Sequence, residues 1–217
     1  MKNGKALLRN YDLFIFDWDG TLCEMRTVLR ANENLKRALK TWNREARIKE
    51  MESRPRNRLK RDIQIEETKN ELLAILFESF AHLYRPRLHR NAMELLMLLK
   101  KRRKKVAILS NGNSSRLSKD LDKMGIRKYF DLVVSAKDIG ATKPDPRGIR
   151  TIISKLKATP SRTLYFGDMI DDILTADLAK VDSCAVSNGF DSRAKLKSAK
   201  PTYLFESVEG IFSQMAR

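Results

Sequence analysis

Apolar residues recur along the chain in two rhythms, and the change between them predicts the architecture. Residues 11–16 read YDLFIF and run into Asp17-Trp18-Asp19-Gly20. A short apolar run rich in aromatic and branched residues, closed by glycine, predicts a strand buried on both faces. Val28, Leu35, Ala38, Leu39, Trp42 and Ala46 keep helical spacing, which Pro55 breaks. Leu72, Leu73, Leu76, Phe77, Phe80 and Tyr84 form a second helical stripe, ended by Pro86. Beyond it the periods alternate. Helices are expected over 91–101, 115–124, 145–157 and 170–180, and strands over 106–109, 132–134, 163–166 and 183–186. Gly125 stands where it can cap the second of these helices, and Pro146 opens the third. The alternation predicts an α/β fold, a Rossmann-like parallel sheet covered by helices. The two early helices interrupt it. Residues 1–22 and 88–217 are therefore expected to form the core, with residues 23–87 inserted as a helical cap.

Composition narrows the classes. At 217 residues and 42% hydrophobic, the chain can bury a core and is too apolar to be disordered. No apolar run approaches a membrane span, and the first ten residues lack the apolar region of a signal peptide. Cys23 and Cys184 are too few for a disulfide framework or a metal-ligand spacing. They read as buried thiols in a reducing, cytoplasmic compartment. The net charge is +17, and residues 24–105 carry 23 basic against 11 acidic side chains. Such a surplus suggests an anionic partner or substrate. Its two densest clusters, Arg54–Arg61 and Lys100–Lys105, read either as solvated charge favourable at helix ends or as a polyanion footprint, nucleic acid included. Few aromatics interleave them, which argues against a platform for stacked single strands.

In open parallel sheets, ligands bind beyond the carboxyl ends of the strands. Asp17-Trp18-Asp19-Gly20-Thr21 follows the first strand, and Ser110-Asn111-Gly112 follows the second. Lys143-Pro144-Asp145 precedes a helix, and Gly167-Asp168 with Asp171 and Asp172 follows a later strand. Singly, each segment is ordinary turn chemistry. In this order, together, they mark a site.

In these residues the chain resembles the haloacid dehalogenase-like superfamily of hydrolases, particularly its phosphoglycolate-phosphatase-like members, from about Tyr11 to the end. Asp17–Thr21 match that family's Asp-x-Asp-Gly-Thr motif. Ser110 matches its strand-end Ser or Thr, Lys143 its lysine, and Asp168 with Asp172 its Gly-Asp motif and the acid beyond it. The resemblance implies a phosphatase that uses Mg²⁺ and acts on a small phosphorylated substrate. Asp17 would attack phosphorus and form an aspartyl phosphate. Asp19 would protonate the leaving oxygen and then take a proton from water. Asp17 and Asp168 would bind the metal by side chain and Asp19 by its main-chain carbonyl, with Asp172 in or near the second shell of ligands. Thr21, Ser110, Asn111 and Lys143 would contact the substrate phosphate, Ser110 and Lys143 as catalytic supports. Asp171 has no assigned role. His82 and His89 read as packing or surface residues, Trp42, Phe77 and Phe80 as cap core, and Arg26 as a candidate contact for a substrate anion. Two other functions stay open: a phosphatase of nucleotides or nucleic-acid ends, and a nucleic-acid-binding protein on a vestigial phosphatase fold.

Overall fold

Strand β1 (Leu13–Phe16) shows why this sequence builds a sheet covered on both sides. Its four side chains are all buried, Phe14 and Phe16 in one cluster and Leu13 and Ile15 in the other. The alternation of Cβ directions along a strand produces this division. The computed structural model describes residues 4–24 and 86–216. The expected cap helices, Arg26, Trp42, Phe77, Phe80, His82 and the Arg54–Arg61 cluster lie outside the described residues.

The described elements run α1 (Gly4–Asn10), β1, α2 (Ala92–Lys101), β2 (Lys105–Ser110), α3 (Ser114–Lys123) and β3 (Leu132–Ser135). They continue with α4 (Arg147–Lys155), β4 (Thr163–Gly167), α5 (Ile170–Ala179), β5 (Asp182–Val186), α6 (Arg193–Ser198), β6 (Tyr203–Phe205) and α7 (Val208–Met215). The six strands pair in parallel in the order β3-β2-β1-β4-β5-β6. The order reverses beside β1, the switch point at which such sheets bind ligands. Residues of α1, α2, α3 and α7 pack with Phe14, Phe16 and Phe166 on one face, and α4 and α5 cover the other. Phe16 and Phe166 stack at 4.5 Å between centroids directly beneath the carboxyl ends of β1 and β4.

Most expected boundaries shift by one or two residues, and two of the shifts involve polar contacts. Tyr11 is buried but precedes the strand, its hydroxyl meeting Asp182 (2.5 Å) and Tyr203 (3.1 Å). Asp145 stays outside α4, its carboxylate accepting the Arg147 amide at 2.9 Å. The chain leaves the sheet and returns to it as an adjacent pair of segments. The Glu24 amide donates to the Arg87 carbonyl (2.8 Å) and the His89 amide to the Leu22 carbonyl (2.9 Å). Residues 22–24 and 87–89, the two ends that flank the undescribed segment, thus lie side by side. Among the described residues no helix is long and apolar enough to cross a membrane. Both cysteines are buried and neither forms a disulfide.

Candidate active site

The parallel ladder sets the first contacts. The Asp17 amide donates to the Phe166 carbonyl at 2.8 Å, so the first residue beyond β1 lies beside the end of β4. A Gly-Asp turn follows β4, and α5 begins two residues later. Asp17, Asp168 and Asp172 meet there, each offering a carboxylate oxygen within 4.8 Å of the others, and all three are buried. Gly20 makes the approach possible. Its φ of +90° is left-handed backbone, and a Cβ there would stand 2.2 Å from Asp168 Oδ2.

Lys143 reaches this cluster from the loop between β3 and α4. Its Nζ donates to Asp17 Oδ1 at 2.7 Å and to Asp172 Oδ1 at 2.6 Å, with its side chain almost wholly buried. The loop is anchored by the Lys143 amide, which donates to Asn111 Oδ1 at 2.9 Å. Asn111 thus holds the lysine's backbone. Burial disfavours the charged amine, yet Asp17 and Asp172 keep its pKa well above the usual lysine range. Burial pushes Asp17 up to about 7 against the pull of Lys143, with Asp172 and Asp19 adding to the rise. Asp168 is also raised, by burial first and then by Asp17 and Asp172.

The lone pairs separate the three acids. Asp172 Oδ1 accepts from Lys143 and from the Tyr165 hydroxyl (3.0 Å), and Oδ2 accepts the amides of Asp168 (3.1 Å) and Met169 (2.9 Å). Four donors fill a carboxylate's capacity. Asp168 accepts the Thr21 hydroxyl at 3.0 Å on Oδ1 and the Phe190 amide at 2.6 Å on Oδ2, which leaves one lone-pair site on each oxygen. Thr21, expected at the phosphate, spends its hydroxyl on orienting Asp168. Ser110 is buried, its Oγ accepting the Gly112 amide at 3.0 Å. Asp171 lies half-buried on the first turn of α5, and half-buried His89 meets the Asn188 amide side chain at 3.2 Å.

Three functional side chains carried no motif. Arg116, on the first turn of α3, grips Asp19 with two guanidinium nitrogens, Nη1 to Oδ1 at 3.0 Å and Nη2 to Oδ2. Asp120, one turn further on, accepts Arg116 Nη1 at 3.5 Å and the Trp18 indole N–H at 3.4 Å. Burial works against the Arg116 charge, but Asp19 and Asp120 raise its pKa above the usual range. Gly112 makes room for this arm, since a Cβ there would stand 2.5 Å from Nη2. Asp191, the third, accepts the Ile170 amide at 2.9 Å and so closes the start of α5 behind Asp168. The i, i+4 spacing of Arg116 and Asp120 on a helix opening just after Ser110 was the one legible signal.

The donor set suits a divalent cation. Three buried carboxylates gather three formal negative charges where Lys143 offsets one, and every ligand offered is oxygen. Hard oxygen ligands of this kind are what Mg²⁺ takes. Asp17 and Asp168 have the free lone pairs to hold it, while Asp172 is saturated.

Residues 14–186 match the family described as haloacid dehalogenase-like hydrolase. The chain is 26% identical over 212 residues to the pyrophosphatase PpaX of Oceanobacillus iheyensis, covering 92% of this chain and 94% of that one. A predicted phosphoglycolate phosphatase from Haemophilus somnus superposes with a TM-score of 0.67 at 19% identity, covering 91% of this chain and 95% of that one. A haloacid dehalogenase-like hydrolase from Streptococcus pneumoniae superposes with a TM-score of 0.60 at 17% identity, covering 94% and 98%.

Proposed function

The chain belongs to the haloacid dehalogenase-like hydrolases, and we propose that it is a Mg²⁺-dependent phosphatase that transfers a phosphoryl group to Asp17 and then to water. The observation that carries this reading is the contact of Lys143 Nζ with Asp17 Oδ1 inside the buried carboxylate cluster. That contact fixes the nucleophile's orientation and leaves Oδ2 to attack. When bound, Mg²⁺ supplies the positive charge that brings a phosphate dianion beside these acids.

Asp17 Oδ2 attacks phosphorus as the bond to the leaving oxygen breaks. Asp19 gives that oxygen its proton. Water then attacks the aspartyl phosphate, Asp19 takes a proton from it, the P–Oδ2 bond breaks and phosphate leaves. Lys143 balances charge on Asp17 and on the phosphoryl oxygens, and the Ser110 hydroxyl donates to one of them. Positioning and charge supply most of the rate in such transfers.

The substrate is a small phosphorylated metabolite. Inorganic pyrophosphate is a second reading, favoured by the PpaX likeness over nearly the whole of both chains. Phosphate release from phosphoglycolate, sugar phosphates, nucleotides, pyrophosphate and phosphorylated oligonucleotides, with Mg²⁺ or EDTA, tests both. Release is expected to need Mg²⁺ and to fall by about 10³-fold or more in Asp17→Asn. Metal-independent release, or release that survives the substitution, sinks the mechanism. The ranking of substrates chooses between the two readings.

A further inference from the structure

Six connections lead from a helix into a strand: residues 9–12, 100–105, 123–131, 155–162, 180–182 and 198–202. Because all six strands are parallel, these connections lie side by side along one edge of the sheet, the edge opposite the Asp17 site. They carry fifteen lysines and arginines and three aspartates. Asp122 and Asp177, in the preceding helical turns, raise the acids to five and leave ten net positive charges. The connections leading the other way, 17–24, 111–113, 136–146, 168–169, 187–192 and 206–207, carry eight acids and two lysines.

Cations do stabilise helix C-termini, and six helices end at this edge. Each terminus presents about half a negative charge, roughly three in all. The cations exceed that by about threefold. Most of the local acids are also engaged. Asp12 pairs with Lys104 and Arg162, Asp131 with Lys100, and Asp182 with the Tyr11 and Thr202 hydroxyls. Lys101, Arg102, Lys123, Lys128 and Lys155 are exposed.

We propose that this edge is a second binding surface, which takes the phosphate backbone of a nucleic-acid duplex. At about 4.8 Å per strand, six strands set the cations along roughly 24 Å, comparable with the width of a duplex. A depression of about 500 Å³ lined by Asn10, Tyr11, Ser161, Arg162 and Asp182 makes the middle of the edge concave. No large apolar side chain is exposed in these connections, since Met97, Ile139, Leu174 and Leu178 all lie elsewhere. The edge therefore has nothing to insert into acyl chains, as membrane-surface elements do. It also lacks exposed aromatics on which single-strand bases stack. Regularly spaced phosphates are the partner left, bound without sequence preference.

Anisotropy titration of a fluorescein-labelled duplex of about 20 base pairs with the full chain tests this. Engagement of about five phosphates predicts a roughly 500-fold loss of affinity between 50 and 200 mM salt. The variant Lys101→Gln/Arg102→Gln/Lys128→Gln/Lys155→Gln should lose at least about 30-fold at 100 mM and flatten the salt slope. It should keep its melting temperature and its phosphatase rate. If it melts early, the Lys101→Gln/Arg102→Gln and Lys128→Gln/Lys155→Gln pairs carry the same test, each with about half the loss of slope. Neutralising Arg54, Arg56, Arg58 and Lys60 removes the same net charge and should change affinity less than about threefold. Equal losses from both sets would reduce the effect to net charge and overturn the proposal. So would no binding at 50 mM, or equally tight binding to anionic phosphatidylserine vesicles.

Discussion

Asp19 is held at both of its carboxylate oxygens by Arg116. A bidentate guanidinium fixes the plane of a carboxylate as well as its charge. Arg116 thereby positions the acid proposed to serve the leaving oxygen. Arg116→Ala is expected to lower kcat about 10–100-fold with little change in KM. The loss should be larger for alkyl phosphates, whose leaving oxygen needs a proton, than for p-nitrophenyl phosphate. Equal losses on both esters would separate Arg116 from that step. Gly112→Ala should reproduce part of the effect by crowding Nη2, and Arg116→Lys should rescue little. The saturated Asp172 yields a second test. Mg²⁺ should raise the melting temperature of Asp172→Asn nearly as much as that of the native protein, while Asp168→Asn loses most of that rise. Asp17, Asp19, Lys143 and Asp168 were legible because each stands in a short motif. Arg116, Asp120 and Asp191 stand in no motif, and apart from the i, i+4 spacing of the first two their roles come from contacts 97, 102 and 21 residues away along the chain.

At the scale of elements, alternation of helix and strand was readable at the first strand and again from residue 91 to 186, because each strand is a mostly apolar run of four to six residues. The chain beyond β5 was not. Strand β6 has three residues, α6 reads RAKLKS with one buried leucine, and α7 contains Gly210, so none shows a period long enough to recognise. Helix α1 likewise hides in a short polar terminus and is anchored by buried Leu7. The strands beneath the site are the stiffest support available to it. Phe16 stacks on Phe166 one residue before the nucleophile, with both rings buried. Phe16→Ala should cost about 3–5 kcal/mol in urea denaturation. It should also lower kcat, because the cavity opens directly under Asp17. Loss of stability with an unchanged rate would show that the ladder alone holds the site.

Over the whole molecule, the buried acids set how stability depends on pH. Burial raises Asp17 from 3.8 to about 7, so the folded chain binds this proton more tightly than the unfolded one. The contribution of this proton is full below about pH 4 and declines as pH rises toward 7, opposite in sign to that of Asp12, whose carboxyl Arg162 and Lys104 hold low. Asp168, raised for the same reason, adds to the decline. In EDTA the melting temperature should fall between pH 4 and 7 from this source, and Mg²⁺ should restore most of the loss. A flat profile in EDTA would show that Lys143 already balances the cluster. The unequal charge of the two sheet edges has a practical result as well. Acids around one end of the described sheet and cations along the other give this core a dipole that orients in an electric field. On mica or a cation-exchange bead it settles cation edge down, with the carboxyl ends of the strands turned toward the liquid. Adsorbed enzyme should therefore keep most of its turnover, whereas enzyme coupled at random through its many lysines should lose a large share.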